Sequence, residues 1–178
     1  MKVPIHIIIE MVITALKRIN SPRFYKTERG FQGRLTSVLN KIQDEQHIFP
    51  DGTIIEEEYQ KKLEPHGMTQ RPDIIIHDPI ETGHSNNRKE NNYVVFALKL
   101  NKKKNEVMKD YKKLDEVIEK LNYQFGIFIN INSINSFLGE YQGPNKDKLH
   151  EFCIKQINGN LTIHYAYLHE NNVIITKV

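Results

Sequence analysis

The run Tyr93-Val94-Val95-Phe96-Ala97-Leu98-Lys99-Leu100 constrains the fold of this chain more than any other segment. It is rich in β-branched and aromatic residues and carries a single charge, which is the composition of a buried strand. Two-residue alternation assigns Tyr93, Val95, Ala97 and Lys99 to one face. The other face, Val94, Phe96, Leu98 and Leu100, is uniformly apolar. Lys99 therefore closes a largely buried strand, where an ammonium is costly unless something pairs with it. The plain alternative is a lysine whose head reaches solvent at the strand end. On this strand alone, that alternative is the stronger one.

Helices and further strands surround this run. The opening MKVPIHIIIEMVITALKRIN predicts a helix from Ile5 to Ile19. His6 and Glu10 interrupt its apolar stretch, which is too short for a membrane span and lacks a small-residue cleavage site. It reads as a packing helix of a cytoplasmic protein. Ser21-Pro22 resets the backbone. A second helix follows with Thr27 as its N-cap. There Phe31, Leu35, Val38 and Ile42 recur at helical spacing, and Glu28 projects from the end of that buried face. Gly30 and Gly33 are poor helix formers but permit close approach of another backbone.

Strands are predicted over Thr53–Tyr59 and Asp73–Ile76, the latter entered from Pro72. A polar loop, ETGHSNNRKENN, separates them from the Tyr93–Leu100 strand. The segment Asn105–Leu121 carries Val107, Tyr111, Leu114, Ile118 and Leu121 on one helical stripe. Phe125–Ile131 reads as a strand. Lys146–Ile157 reads as an amphipathic helix with Leu149, Phe152, Cys153 and Ile157 inward. Leu161–Leu168 and Val173–Lys177 read as a hairpin joined through His169–Asn172. The order is helix, helix, three strands, helix, strand, helix, two strands. It predicts an α/β fold, a mixed sheet flanked by helices.

A chain of 178 residues favours one domain with its own core. Its formal net charge of +3 permits nucleic-acid binding without requiring it. Cys153 is the only cysteine, so no internal disulfide is possible. The eight histidines show no spacing typical of a zinc site.

Arg71-Pro72-Asp73 opens one apolar strand, and Ala97-Leu98-Lys99 closes the next. With a Glu28-bearing helix before them and a helix and strand after, the chain resembles the PD-(D/E)XK nuclease superfamily. The resemblance covers roughly Thr27 to Asn132. It implies a restriction-endonuclease-like core (αβββαβ) over 27–132, a helical extension over 1–26, and a C-terminal helix and hairpin over 133–178. It further implies that Asp73 is a metal ligand, Lys99 the catalytic lysine and Glu28 an accessory ligand. The metal would be Mg²⁺, with Mn²⁺ able to substitute.

Those roles suit the residue types. Hard divalent cations take carboxylate oxygens. A bound metal acidifies water and neutralises charge on a phosphodiester. A nearby lysine adds electrostatic stabilisation.

Ala97 departs from the pattern, because the family keeps Glu or Asp there and a methyl group ligates nothing. Three origins compete: a deliberate exchange of an acid for alanine, a naturally inactive homologue, or migration of the acid, for instance into Glu56-Glu57-Glu58. Lys102, Lys103 and Lys104 follow the motif strand and could neutralise phosphates, with Arg88, Lys89, Arg29 and Arg34 extending that surface. Asp110 and Gln124 are expected to be structural. The function implied is a DNA endonuclease in restriction or anti-phage defence, acting on duplex DNA as a homodimer because two strands need two sites. Its activity would be impaired at Ala97. A nucleic-acid-binding module without catalysis, or a scaffold with no nucleic-acid role, are the alternatives.

Overall fold

A computed structural model describes residues 3–57, 72–79 and 92–178. Helix α1 (Ile5–Lys17) buries Ile8, Met11, Val12, Ala15 and Leu16. A short 3-10 turn starts at Pro22 and leads into α2 (Glu28–Gln46). Thr27 caps α2, its hydroxyl accepting from the Gly30 N–H at 3.1 Å. Phe31, Leu35, Val38 and Ile42 are buried, as their spacing requires.

Strands β1 (Ile54–Glu57), β2 (Ile74–His77) and β3 (Asn92–Leu100) follow, then α3 (Lys104–Leu121) and β4 (Phe125–Ile131). The chain closes with β5 (Leu149–Ile157), β6 (Asn160–His169) and β7 (Asn172–Lys177). The seven strands form one mixed sheet in sequence order, β1 to β7. β1, β2 and β3 are antiparallel, β3, β4 and β5 are parallel, and β5, β6 and β7 are antiparallel again.

Helices cover both faces. α1 and α2 pack on Ile74, Ile76, Val94, Phe96, Leu98, Ile127 and Ile129. α3 packs on the opposite face, against Ile75, Val95, Ala97 and Phe128. β3 and β4 are thus buried on both sides, which explains their apolar composition. Among the described residues, no helix is long and apolar enough to cross a membrane.

Three expectations are corrected. The helix expected over Lys146–Ile157 is β5, preceded by a short 3-10 turn at Lys146–Lys148. Ile157, expected to face inward, is 54% exposed. Tyr93 does not share the face of Val95 and Ala97. The pairing shifts from Ile76–Val94 to His77–Asn92, so Tyr93 is an extra residue. This bulge turns its ring to the α1/α2 side, where it packs on Phe49 at 5.0 Å. The polar loop between β2 and β3 and the end of the Thr53–Tyr59 strand lie mostly outside the described residues.

Candidate active site

The site forms where β3 outruns β2. The β2–β3 pairing ends at Ile74–Phe96, whereas β4 accompanies β3 as far as Leu100–Ile131. Among the described residues, β3 has no strand beside it on the β2 side from Ala97 onward. Its N–H groups there need other acceptors. Asp73 and Glu28 supply them. The Leu98 N–H donates to Asp73 Oδ2 at 2.6 Å, and the Leu100 N–H donates to Glu28 Oε2 at 3.3 Å.

Lys99 lies between those two amides and reaches both carboxylates. Its Nζ donates to Glu28 Oε1 at 2.9 Å and stands 4.0 Å from Asp73 Oδ2. The fold thus brings Asp73, Lys99 and Glu28 together, although Glu28 is 71 positions from Lys99. Burial alone would lower the Lys99 pKa. The Glu28 hydrogen bond and the Asp73 and Glu28 charges outweigh it and hold the ammonium above its ordinary value. Lys99 is therefore a cation throughout the physiological range, able to hold negative charge but not to take up a proton. Burial raises the Asp73 carboxyl, and the Leu98 N–H and Lys99 only partly offset this.

Two buried amides fix this frame. Gln32 Nε2 donates to the Asp73 carbonyl at 2.8 Å. Asn130 is fully buried and lies opposite Lys99 on β4. Its Oδ1 accepts from the Lys102 N–H and its Nδ2 donates to the Lys102 carbonyl, each at 3.1 Å. Neither residue was singled out from sequence. The signals were present: Gln32 sits one helical turn after Glu28, and Asn130 interrupts an otherwise apolar strand.

Ala97, Asp73 and Lys99 line a groove of about 50 Å³ against α3, together with Asp110 and Lys113. That volume admits a few waters and nothing larger, so a phosphodiester would lie across its mouth. Asp110 is buried and paired with Lys113 Nζ at 3.1 Å. It adds an acid to the groove that the sequence reading had assigned to structure. Of the run Glu56-Glu57-Glu58, neither Glu56 nor Glu57 lines this groove. Glu56 approaches His77 at 3.8 Å, and Glu57 lies over Gly33 of α2. Glu58 lies outside the described residues.

Among the described residues, no group of three or more His, Cys, Asp and Glu could hold a metal ion. The chemistry of the donor set agrees. The Ala97 side chain offers no oxygen, both Glu28 oxygens already accept from N–H groups, and Asp110 Oδ1 holds Lys113. As the chain stands, these residues do not fit a divalent cation that needs several oxygens.

The basic residues divide. Lys103 and Arg29 are exposed at the starts of α3 and α2. Lys102 pairs with Glu106 at 2.7 Å, and Lys104 pairs with Glu140. Arg34 is turned toward Phe24, its guanidinium 5.5 Å from the ring centroid. Arg88 and Lys89 lie outside the described residues. Comparison with family models, with curated proteins and with solved structures gave no match.

Proposed function

We propose that the groove at Asp73, Ala97 and Lys99 belongs to a metal-dependent DNA endonuclease of the PD-(D/E)XK type, impaired in this chain at Ala97. The observation that carries this reading is the convergence of Asp73, Lys99 and Glu28 on the end of β3, where a cation sits between two carboxylates. The order α2, β1, β2, β3, α3, β4 supports a restriction-endonuclease-like core. Lys99 would stabilise negative charge developing on a phosphate. A divalent cation would supply an acidified water, and an acid at position 97 is what its donor set lacks. A homodimer would present two such sites to the two strands of a duplex, in restriction or anti-phage defence.

The test is restoration. Ala97→Glu is expected to cleave duplex DNA with Mg²⁺ or Mn²⁺, and Asp73→Ala or Lys99→Ala in that background is expected to abolish cleavage. A restored protein that binds the cation yet cuts no nucleic acid defeats the reading.

The absence of a carboxylate at position 97 and of an acid cluster among the described residues favours a second reading. In it the chain binds nucleic acid without cutting it. It predicts salt-sensitive binding and no cleavage from either form.

A further inference from the structure

Glu28 and Asp73 both touch Lys99 but are held differently. Asp73 is part of the frame: its carboxylate sits on the Leu98 N–H and its own carbonyl is gripped by buried Gln32. Glu28 reaches in from the first turn of α2 with a flexible side chain that is 34% exposed. It can leave by rotating its own bonds, without moving the backbone. Each of its oxygens meets one donor, Oε1 the Lys99 ammonium and Oε2 the Leu100 N–H. An ammonium and a backbone N–H aimed at two oxygens of one anion form an oxyanion subsite.

We propose that Glu28 is an internal stand-in for a substrate phosphate: it fills a subsite made by Lys99 and the Leu100 N–H, and a nucleic-acid phosphate displaces it. This rests on reading the groove as a phosphodiester site, and it replaces the accessory-ligand role for Glu28.

A phosphate offers two non-bridging oxygens in place of the two carboxylate oxygens. Lys99 is not stranded in the exchange, because Asp73 remains 4.0 Å away and the incoming anion is charged. The tether also sets selectivity. Glu28 competes at the high effective concentration of an attached group. A lone phosphate ion displaces it poorly. A polyanionic strand, held in addition by the exposed Arg29 and Lys103, displaces it well.

The experiment measures binding of a short fluorescein-labelled DNA duplex by anisotropy, and the melting temperature with and without inorganic phosphate. Glu28→Ala is expected to tighten duplex binding roughly five- to tenfold, by the fraction of time the parent subsite is filled. Glu28→Gln, which keeps the side chain's shape, shifts binding the same way by less. Inorganic phosphate is expected to raise the melting temperature of Glu28→Ala and not of the parent. Lys99→Ala weakens binding, and in that background Glu28→Ala adds nothing. Glu45→Ala, about 25 Å along the same helix, removes the same charge and leaves affinity within about twofold.

The stand-in role is overturned if Glu28→Ala binds duplex no better than Glu45→Ala, or if its gain persists without Lys99. If phosphate stabilises Glu28→Ala but no variant binds duplex at low salt, the subsite stands and the nucleic-acid reading of the groove falls. If Lys99→Ala leaves duplex binding unchanged, both fall.

Discussion

Asp73 grips β3 on either side of Ala97: its N–H donates to the Phe96 carbonyl at 3.1 Å and its Oδ2 accepts from the Leu98 N–H at 2.6 Å. Asp73 and Ala97 line the same groove. Ala97→Glu therefore sets a second carboxylate beside one whose pKa burial already raises. Without a cation the two repel, and the variant is expected to lose on the order of 1 kcal/mol. Mn²⁺ or Mg²⁺ should reverse that loss, adding about 2.7 kcal/mol at a hundred times its dissociation constant. The parent chain is expected to be indifferent to either ion. Thermal melts with increasing Mn²⁺ read both effects, and equal responses in parent and variant would show that position 97 does not face a metal-ready site.

Gln32 helps to fix the position of Asp73, because its side chain donates to the Asp73 carbonyl. Gln32→Ala leaves that carbonyl without its partner, costing about 1–3 kcal/mol of stability. In the Ala97→Glu background the effect on cleavage should be larger, at least about tenfold, since a misplacement near 1 Å is enough for a hundredfold loss. Denaturation and cleavage measured on the same preparation separate the two. A rate that falls only in step with the folded fraction would reduce Gln32 to a packing residue.

The site was legible where its residues form a linear pattern. Asp73 opens one strand, Lys99 closes the next, and Glu28 follows a capping threonine. Gln32 and Asn130 were missed because their roles depend on partners that the sequence does not pair; Gln32 serves a residue 41 positions away. β5 was misread for a different reason. Leu149, Phe152, Cys153 and Ile157 satisfy helical spacing, while His150 and Glu151 mimic a solvated face. In the fold both are buried, because β5 is covered on both sides. The overlooked signal was Asn158-Gly159. Both residues have positive φ, 51° and 82°, and they form a two-residue turn from β5 into β6. Asn-Gly is the strongest short-range mark of a hairpin, so the segment before it had to be a strand. Glu170-Asn171, at φ 47° and 66°, turns β6 into β7 in the same way.

Asn130 ties the segment after β3 to β4. It is fully buried and satisfies both backbone groups of Lys102. Asn130→Ala strands an N–H and a carbonyl together, for an expected loss of about 2–4 kcal/mol. The urea midpoint should fall with an unchanged m-value, as the surface exposed on unfolding is the same. Duplex binding should also weaken, because Lys102 and Lys103 lose their fixed place beside Lys99. A midpoint shift within the scatter of a surface substitution would mean that Lys102 finds other partners.

Glu151 gives the fold a pH dependence of definite sign. It sits on β5 in the cross-sheet row that runs from Ala97 through Phe128, and it is fully buried. Its Oε2 accepts from the Ser136 hydroxyl and from the N–H groups of Phe137 and Leu138, the latter two at 3.1 and 3.3 Å. Burial raises its pKa, and those donors offset only part of the rise. The folded state thus holds the proton more tightly than the unfolded chain does. The resulting stability is fully present below the ordinary value of 4.5 and is lost as pH climbs through the raised one. Glu151→Gln has no proton to lose there. The parent's stability relative to this variant should therefore be greatest at the acid end and shrink toward neutrality. Asp73, raised in the same direction, adds a slope of the same sign to both proteins. Urea midpoints of the two proteins across that interval decide the matter. A constant difference, or one that grows with pH, would mean that the three donors outweigh burial and that Glu151 is held as an anion by the loop it anchors.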